Sequence, residues 1–188
     1  MTKRKVIASV LLAASFGCAS SVEPARTQVA RAPSGHGYAL LYEILGQERR
    51  VAQLLLIKVE RDALGTVIRA IAETCDKAYE RLELLAKADP GLDLTDTGLP
   101  SEEVRTRQAI AATRREQLLA ASGRELELQL LLSQNEALTY MAHLADTLSR
   151  SESDAARLAF VRGLWKDLTL LQEDVLALVR RPAPVRGS

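Results

Sequence analysis

The sequence predicts an all-α fold, an antiparallel helical bundle of three to four long helices that follows a cleaved leader and a flexible tether. Three observations carry this. Apolar residues recur every three or four positions through each structured stretch, a spacing that returns them to one face of a helix. No stretch alternates apolar and polar residues as a half-buried strand does. Leu and Ala are abundant, and aromatic residues make up only 4% of the 188, which fits helix packed on helix.

The chain opens with Lys3, Arg4 and Lys5, and residues 6–16 (VIASVLLAASF) carry no charge. A membrane-spanning helix needs roughly 20 apolar residues, and this run is far shorter. A basic start, a short apolar core and a small-residue exit predict a cleaved export signal over residues 1–17. Residues 18–37 hold Pro24, Pro33, Gly35 and Gly37 without an apolar period. They predict a tether, with His36 an incidental polar residue in it. The bundle is expected over 38–181 and a mobile basic tail over 182–188.

Residues 38–89 predict helix, in one long piece or two. Leu41, Ile44, Leu45, Val51, Ala52, Leu55 and Val59 make a first stripe. Leu64, Ile68, Ile71, Cys75, Ala78, Leu82 and Leu85 continue it with spacings of four and three. Glu73 with Lys77, and Glu83 with Lys87, are i,i+4 pairs in the favourable order. Gly65 marks a kink or a close approach. Pro90 and Gly91 end the stretch, and residues 90–100 (PGLDLTDTGLP) read as a loop.

Ser101 is placed to cap a more polar helix over about 102–121, with Glu102 and Glu103 favourable for its dipole. Its inward residues are Val104, Ala111, Leu118 and Ala121. After Gly123, residues 124–149 face inward through Leu128, Leu131, Leu138, Met141, Leu144, Ala145 and Leu148. Ser149 with Glu152, and Ser151 with Asp154, form overlapping cap patterns at a turn. The final helix runs from about 153 to 180. Its seam is Val161, Leu164, Leu168, Leu171, Val175 and Leu178, and Trp165 widens it into the core. Folding the chain about the 90–100 loop sets 41–59 against 131–148 and brings the last helix onto that same half. The half near the loop is then expected to be thinner.

Three of the 25 basic residues lie in the leader, which leaves 22 against 24 acidic ones. Such a balance has no basic field for a nucleic-acid partner. There is no Gly-rich phosphate loop, Cys-x-x-Cys, nucleophile elbow or Glu-x-x-His. No cofactor and no enzymatic activity are expected. Cys75 lies within an apolar series and reads as a small buried hydrophobe.

The weak ligand candidates are Glu48, Gln134, Asn135 and His143. Glu48 is flanked by Ile44, Leu45, Val51 and Ala52 on the inward stripe, and the fold-back sets it level with about residue 142. It reads as a rim carboxylate or a satisfied polar contact, or as half of a Glu48–His143 metal or proton site. Two ligands are too few for a dedicated zinc site. His143 shares a face with Glu136, Tyr140, Thr147 and Arg150 that reads as the solvent side. Gln134 and Asn135 interrupt an apolar face, as a buried amide network that fixes register or as a pair that orients a ligand. Arg105, Arg107, Arg114 and Arg115 read as a solvated face paired with Glu102, Glu103 and Glu116, or as an anion or headgroup site.

Ser15-Phe16-Gly17-Cys18, followed by Ala19-Ser20-Ser21, resembles the lipobox of bacterial lipoprotein signal peptides. Ser15 and Phe16 stand where that family usually carries Leu and a small residue. The resemblance covers residues 1–18. It implies that Cys18 becomes the lipidated N-terminus, with a diacylglyceryl thioether and an acylated amine, enough chains for stable membrane attachment. Because Ala19 rather than Asp follows, it further implies an outer-membrane location with the domain facing the periplasm. Gly17-Cys18-Ala19 is also the small-x-small pattern of ordinary cleavage after Ala19.

At pattern level, residues 40–180 loosely resemble periplasmic ferritin-like bundles of unknown function. The Asp-His signature of those bundles has no counterpart here, so no functional residue carries over. The expected function is a membrane-anchored envelope lipoprotein whose bundle is a non-catalytic binding or structural module for an envelope protein partner. The alternative is a periplasmic ferritin-like bundle that binds a metal or small ligand. The heptad spacing of the last helix also permits a homo-oligomer.

Overall fold

The computed structural model describes residues 35–54 and 63–181. Cys18, the leader and most of the expected tether lie outside the described residues, as do Leu55, Val59 and the 182–188 tail. Among the described residues all regular structure is helical: α1 (Gly35–Glu48), a 3-10 turn (Val51–Leu54), α2 (Ala63–Ala88), α3 (Ser101–Ala120), α4 (Gly123–Ser151) and α5 (Ala155–Val179). None of the described helices is long and apolar enough to cross a membrane.

Four of these helices build one core. α1 packs on α2 and α4, and α5 packs on the same two helices from the other side. The order around the bundle is therefore α1, α2, α5, α4. Cross-helix bonds fix the directions. Arg49 of α1's C-terminal end meets Asp76 at 3.3 Å, while Tyr42 further back meets Glu83 at 2.9 Å, so α1 and α2 are antiparallel. Tyr38 bonds Glu152 at 2.6 Å and Glu48 bonds Gln134 at 2.9 Å, so α1 and α4 are antiparallel. Asn135 with Gln172, and Glu152 with Arg157, set α4 against α5 in the same sense. The helices run up, down, down, up, with a single crossover made by the 89–100 loop and α3.

The two strongest seams are the ones with alternating three and four spacing. All seven residues of the α2 series, Cys75 included, are buried, and so are all six of the α5 series. α2 runs unbroken through Gly65. In α4 the inward set shifts: Leu126 and Leu130 are buried, and Leu128 and Leu144 are half-buried. The α5 seam is used inside the chain, against α2 and α4.

Of the two readings left open for the 38–89 stretch, the structure takes two helices, α1 and α2; several other expectations are corrected. The chain leaves α1 at Arg49–Arg50 and folds back, with no proline or glycine at the break. Packing decides it: the Tyr42 and Tyr79 rings stack with centroids 4.2 Å apart, and the Arg49 guanidinium lies 4.2 Å from the Tyr79 ring centre. The 89–100 loop therefore returns to the start of α1, and this end of the bundle holds four helices rather than a thinner half. α1 also begins at Gly35, inside the expected tether. His36 Nδ1 donates to the Asp96 carbonyl at 3.0 Å, and Gly98, at φ +65°, leaves room for the imidazole that a Cβ would meet at 2.7 Å.

Trp165 is 41% exposed rather than core, because α5 touches its neighbours through a narrow seam and residue 165 falls at its edge. Ser101 is the first residue of α3 rather than its cap: Pro100 holds the cap position, and the Ser101 hydroxyl bonds Glu102 at 3.1 Å. α3 buries none of its residues. Ala111 is exposed and Ala121 just beyond the helix is buried. The next turn depends on Gly123 at φ +56°, a conformation glycine adopts without steric cost.

The seams set a clear expectation for stability. Leu168→Ala, at a fully buried position, should cost about 2–5 kcal/mol. Leu170→Ala, two residues away and 60% exposed, should stay within about 0.5 kcal/mol. Urea unfolding of the two variants checks the difference.

Candidate functional site

The buried polar groups gather at two levels of the bundle. The first joins four helices at the loop end. α4 ends at Ser151, and Asp154 caps α5 by accepting from the Arg157 amide at 2.8 Å. Between them Glu152 turns inward. Its Oε2 accepts from the Tyr38 hydroxyl of α1 at 2.6 Å and from Arg157 Nε at 2.9 Å. Its Oε1 accepts from the Asp154 amide at 2.8 Å and from Arg157 Nη2 at 3.2 Å. Arg157 Nη1 then bonds Asp89, just past the end of α2.

Charge and burial compete at Glu152. Burial raises its carboxyl, but the Arg157 bonds, the Tyr38 hydroxyl and the Asp154 amide outweigh it and hold the group at about 2. Arg157 is pushed up, chiefly by its bonds to Glu152. Tyr38 is raised, first by burial and then by its bond to Glu152, so the phenol stays protonated. A depressed carboxyl stabilises the fold above its unfolded value of roughly 4.3, and that stabilisation is lost as pH falls toward the folded value.

The second level contains Glu48. Gln134 Nε2 donates to Glu48 Oε2 at 2.9 Å. Burial raises the Glu48 carboxyl, opposed by the Gln134 bond and the nearby Arg114 charge. Cys75 of α2 is within electrostatic range, its thiol pushed up by burial and then by Glu48. Asn135 points elsewhere, because neighbouring residues on a helix diverge by about 100°. Its Oδ1 accepts from Gln172 of α5 at 3.3 Å, and Gln172 also reaches Thr139 Oγ1.

The sequence candidates therefore do not converge. Glu48 and Gln134 meet, Asn135 faces a different helix, and His143 is exposed. Glu48 lies level with Gln134 rather than residue 142, so no Glu48–His143 pair forms. Nine residues along α4 separate Gln134 from His143, about 13 Å at the helical rise. The amide pair is not one network: Gln134 bonds Glu48 of α1 and Asn135 bonds Gln172 of α5. Among the described residues no group of three or more His, Cys, Asp and Glu could hold a metal ion.

α3 lies along the outside of α4. Arg105 pairs with Glu102 and Arg107 with Glu103, as expected of a solvated face. Arg107 also lies 5.5 Å from the Tyr140 ring centre, and Arg114 reaches across to Glu136 of α4. Between the helices is an open cleft of about 180 Å³, lined by Arg114, Gln117, Leu118, Gln129, Leu132, Ser133 and Glu136. Its charged groups already neutralise each other, which leaves it a weak seat for an ion.

Tyr38, Asp89, Glu152 and Arg157 escaped the sequence reading. The only local signal was the overlapping Ser/Glu and Ser/Asp pattern at the turn. There Ser149 and Ser151 bond carbonyls of α4 instead, and the acidic residues make the cap and the buried contact.

No family model matches the chain, no curated protein matches it, and no solved structure matches it.

Glu152→Gln should lower unfolding stability near neutral pH by on the order of 3 kcal/mol. It should also flatten the loss of stability between about pH 4 and pH 2. Denaturant unfolding across that range checks both effects.

Proposed function

We propose that the protein is a membrane-anchored envelope lipoprotein whose four-helix bundle is a non-catalytic binding or structural module. The observation that carries this is the leader: Lys3-Arg4-Lys5, an uncharged run to Phe16, then Gly17-Cys18 before small residues. Lipid on Cys18 would supply the location, facing the periplasm from the outer membrane, and the stretch after it would supply reach. A bundle held this way gains effective concentration toward an envelope protein partner, so a weak contact suffices. The character of the bundle supports a module: its buried charges bond one another, and its exposed apolar residues include Trp165 and Leu170 on α5.

A second reading, a ferritin-like bundle that binds a metal or small ligand, is favoured by one observation. The single crossover between the α1–α2 and α4–α5 pairs is the connectivity such bundles use. Their chemistry needs inward Glu and Glu-x-x-His ligands on facing helices, and Glu48 meets an amide instead.

Fractionation of cells separates these readings. The intact protein should sediment with membranes and incorporate labelled palmitate. Cys18→Ala should abolish the label and release the protein from the lipid-bearing fraction. An unmodified N-terminus at Ser20 in the processed protein would overturn the anchor. Stoichiometric metal in the purified protein, lost on Glu48→Ala, would replace the module reading by the second.

A further inference from the structure

Gln134 is 3% exposed, and its amide is used on one side only. Nε2 donates to Glu48, while Oε1 is buried with no hydrogen-bond partner among the described residues. A buried acceptor without a donor is costly, so most find one. The neighbour that already shares a bond with this amide is the Glu48 carboxyl. As a carboxylate that group offers acceptors only, but as a carboxylic acid it offers an O–H donor.

We propose that Glu48 is a proton-binding site: in the folded chain it is a neutral carboxylic acid joined to Gln134 in a cyclic acid–amide pair. The amide N–H donates to one carboxyl oxygen, and the acid O–H donates to the amide oxygen. Two parallel bonds then tie the last turn of α1 to the middle of α4. The orphaned oxygen gains its donor, and no charge is buried.

The surroundings fit this assignment. From α4 the facing group is Gln134, and from α2 it is Cys75, a neutral thiol. From α3 comes the charge of Arg114, which favours the carboxylate but is paired with Glu136. Arg49, next in the chain, is turned to Asp76 and the Tyr79 ring. Residues 55–62, with Lys58, Glu60, Arg61 and Asp62, lie outside the described residues. Burial is the largest influence on Glu48 and raises its carboxyl above the usual glutamate range.

The consequence is a pH-sensitive fastening. A group whose folded pKa is raised stabilises fully below its unfolded value, and that stabilisation is lost as pH rises through the folded value. Ionisation would remove one of the two bonds and leave a charge at the point where the chain departs from α1. The docking of this turn on α4 is then governed by one proton. The inference is independent of how the chain is attached to a membrane.

Two measurements on the full processed chain test it. Carbon-13 NMR of labelled glutamate carboxyls should show one resonance titrating clearly above the others and absent from Glu48→Gln. If every glutamate in the parent protein titrates in the ordinary range, the proposal is overturned, whatever the variant does. Glu48→Gln also replaces the acid by its neutral isostere. Its Tm relative to the parent should rise between about pH 4.5 and pH 9, by about 3–5 °C per unit of pKa elevation. A relative Tm that stays flat or falls over that range would contradict a protonated Glu48.

Discussion

Two hairpins, α1–α2 and α4–α5, meet at the carboxylate of Glu152. A four-helix core with one crossover needs something besides chain connectivity to hold its pairs together, because apolar seams tolerate sliding by a turn. Glu152 limits that sliding. Its oxygens take hydrogen bonds from Tyr38 of α1 and from Arg157 of α5, and Arg157 extends the contact to Asp89 beyond α2. Tyr38 and Glu152 are buried, Arg157 is nearly so and Asp89 sits partly exposed at the edge; breaking a buried, bonded charge pair such as Glu152–Arg157 by removing one partner is strongly damaging. Glu48–Gln134 and Asn135–Gln172 add register contacts further along the bundle.

α3 stands outside this arrangement. It carries the chain from one end of the bundle toward the other without contributing a buried residue. An ion pair, a ring contact and the half-buried Leu118 hold it to α4, and exposed polar contacts of that kind are worth little individually. Stability in this protein is thus uneven by construction. The core is expected to open as a unit, and the crossover helix to open more easily, because it buries no residue.

The parts of the fold that were legible in the sequence are those governed by periodicity alone. The Leu64 to Leu85 series and the Val161 to Leu178 series pack as their spacing predicts, and Cys75 is one of the buried positions. The more polar composition of the 102–121 stretch agrees with the exposure of α3, although its expected inward residues Val104, Ala111 and Leu118 are not buried. What stayed hidden depends on partners distant in sequence. The break at Arg49–Arg50 has no local breaker and follows from the Tyr42–Tyr79 stack and the Arg49–Asp76 pair. Trp165 is hydrophobic enough for a core, yet the edge of a narrow seam leaves it partly in water. Glu152 looked like a capping residue, and only the approach of Tyr38, 114 residues away, makes it a junction. At the candidate site, polarity on an inward stripe singled out Glu48 and Gln134, and their bond to each other required the fold-back.

Native-state hydrogen exchange tests this account most directly. Amides in the seams of α1, α2, α4 and α5 should share one high opening free energy, while those of α3 exchange orders of magnitude faster. Protection of α3 equal to that of the seams would contradict the account, and so would an α1–α2 hairpin that opens well before α4–α5.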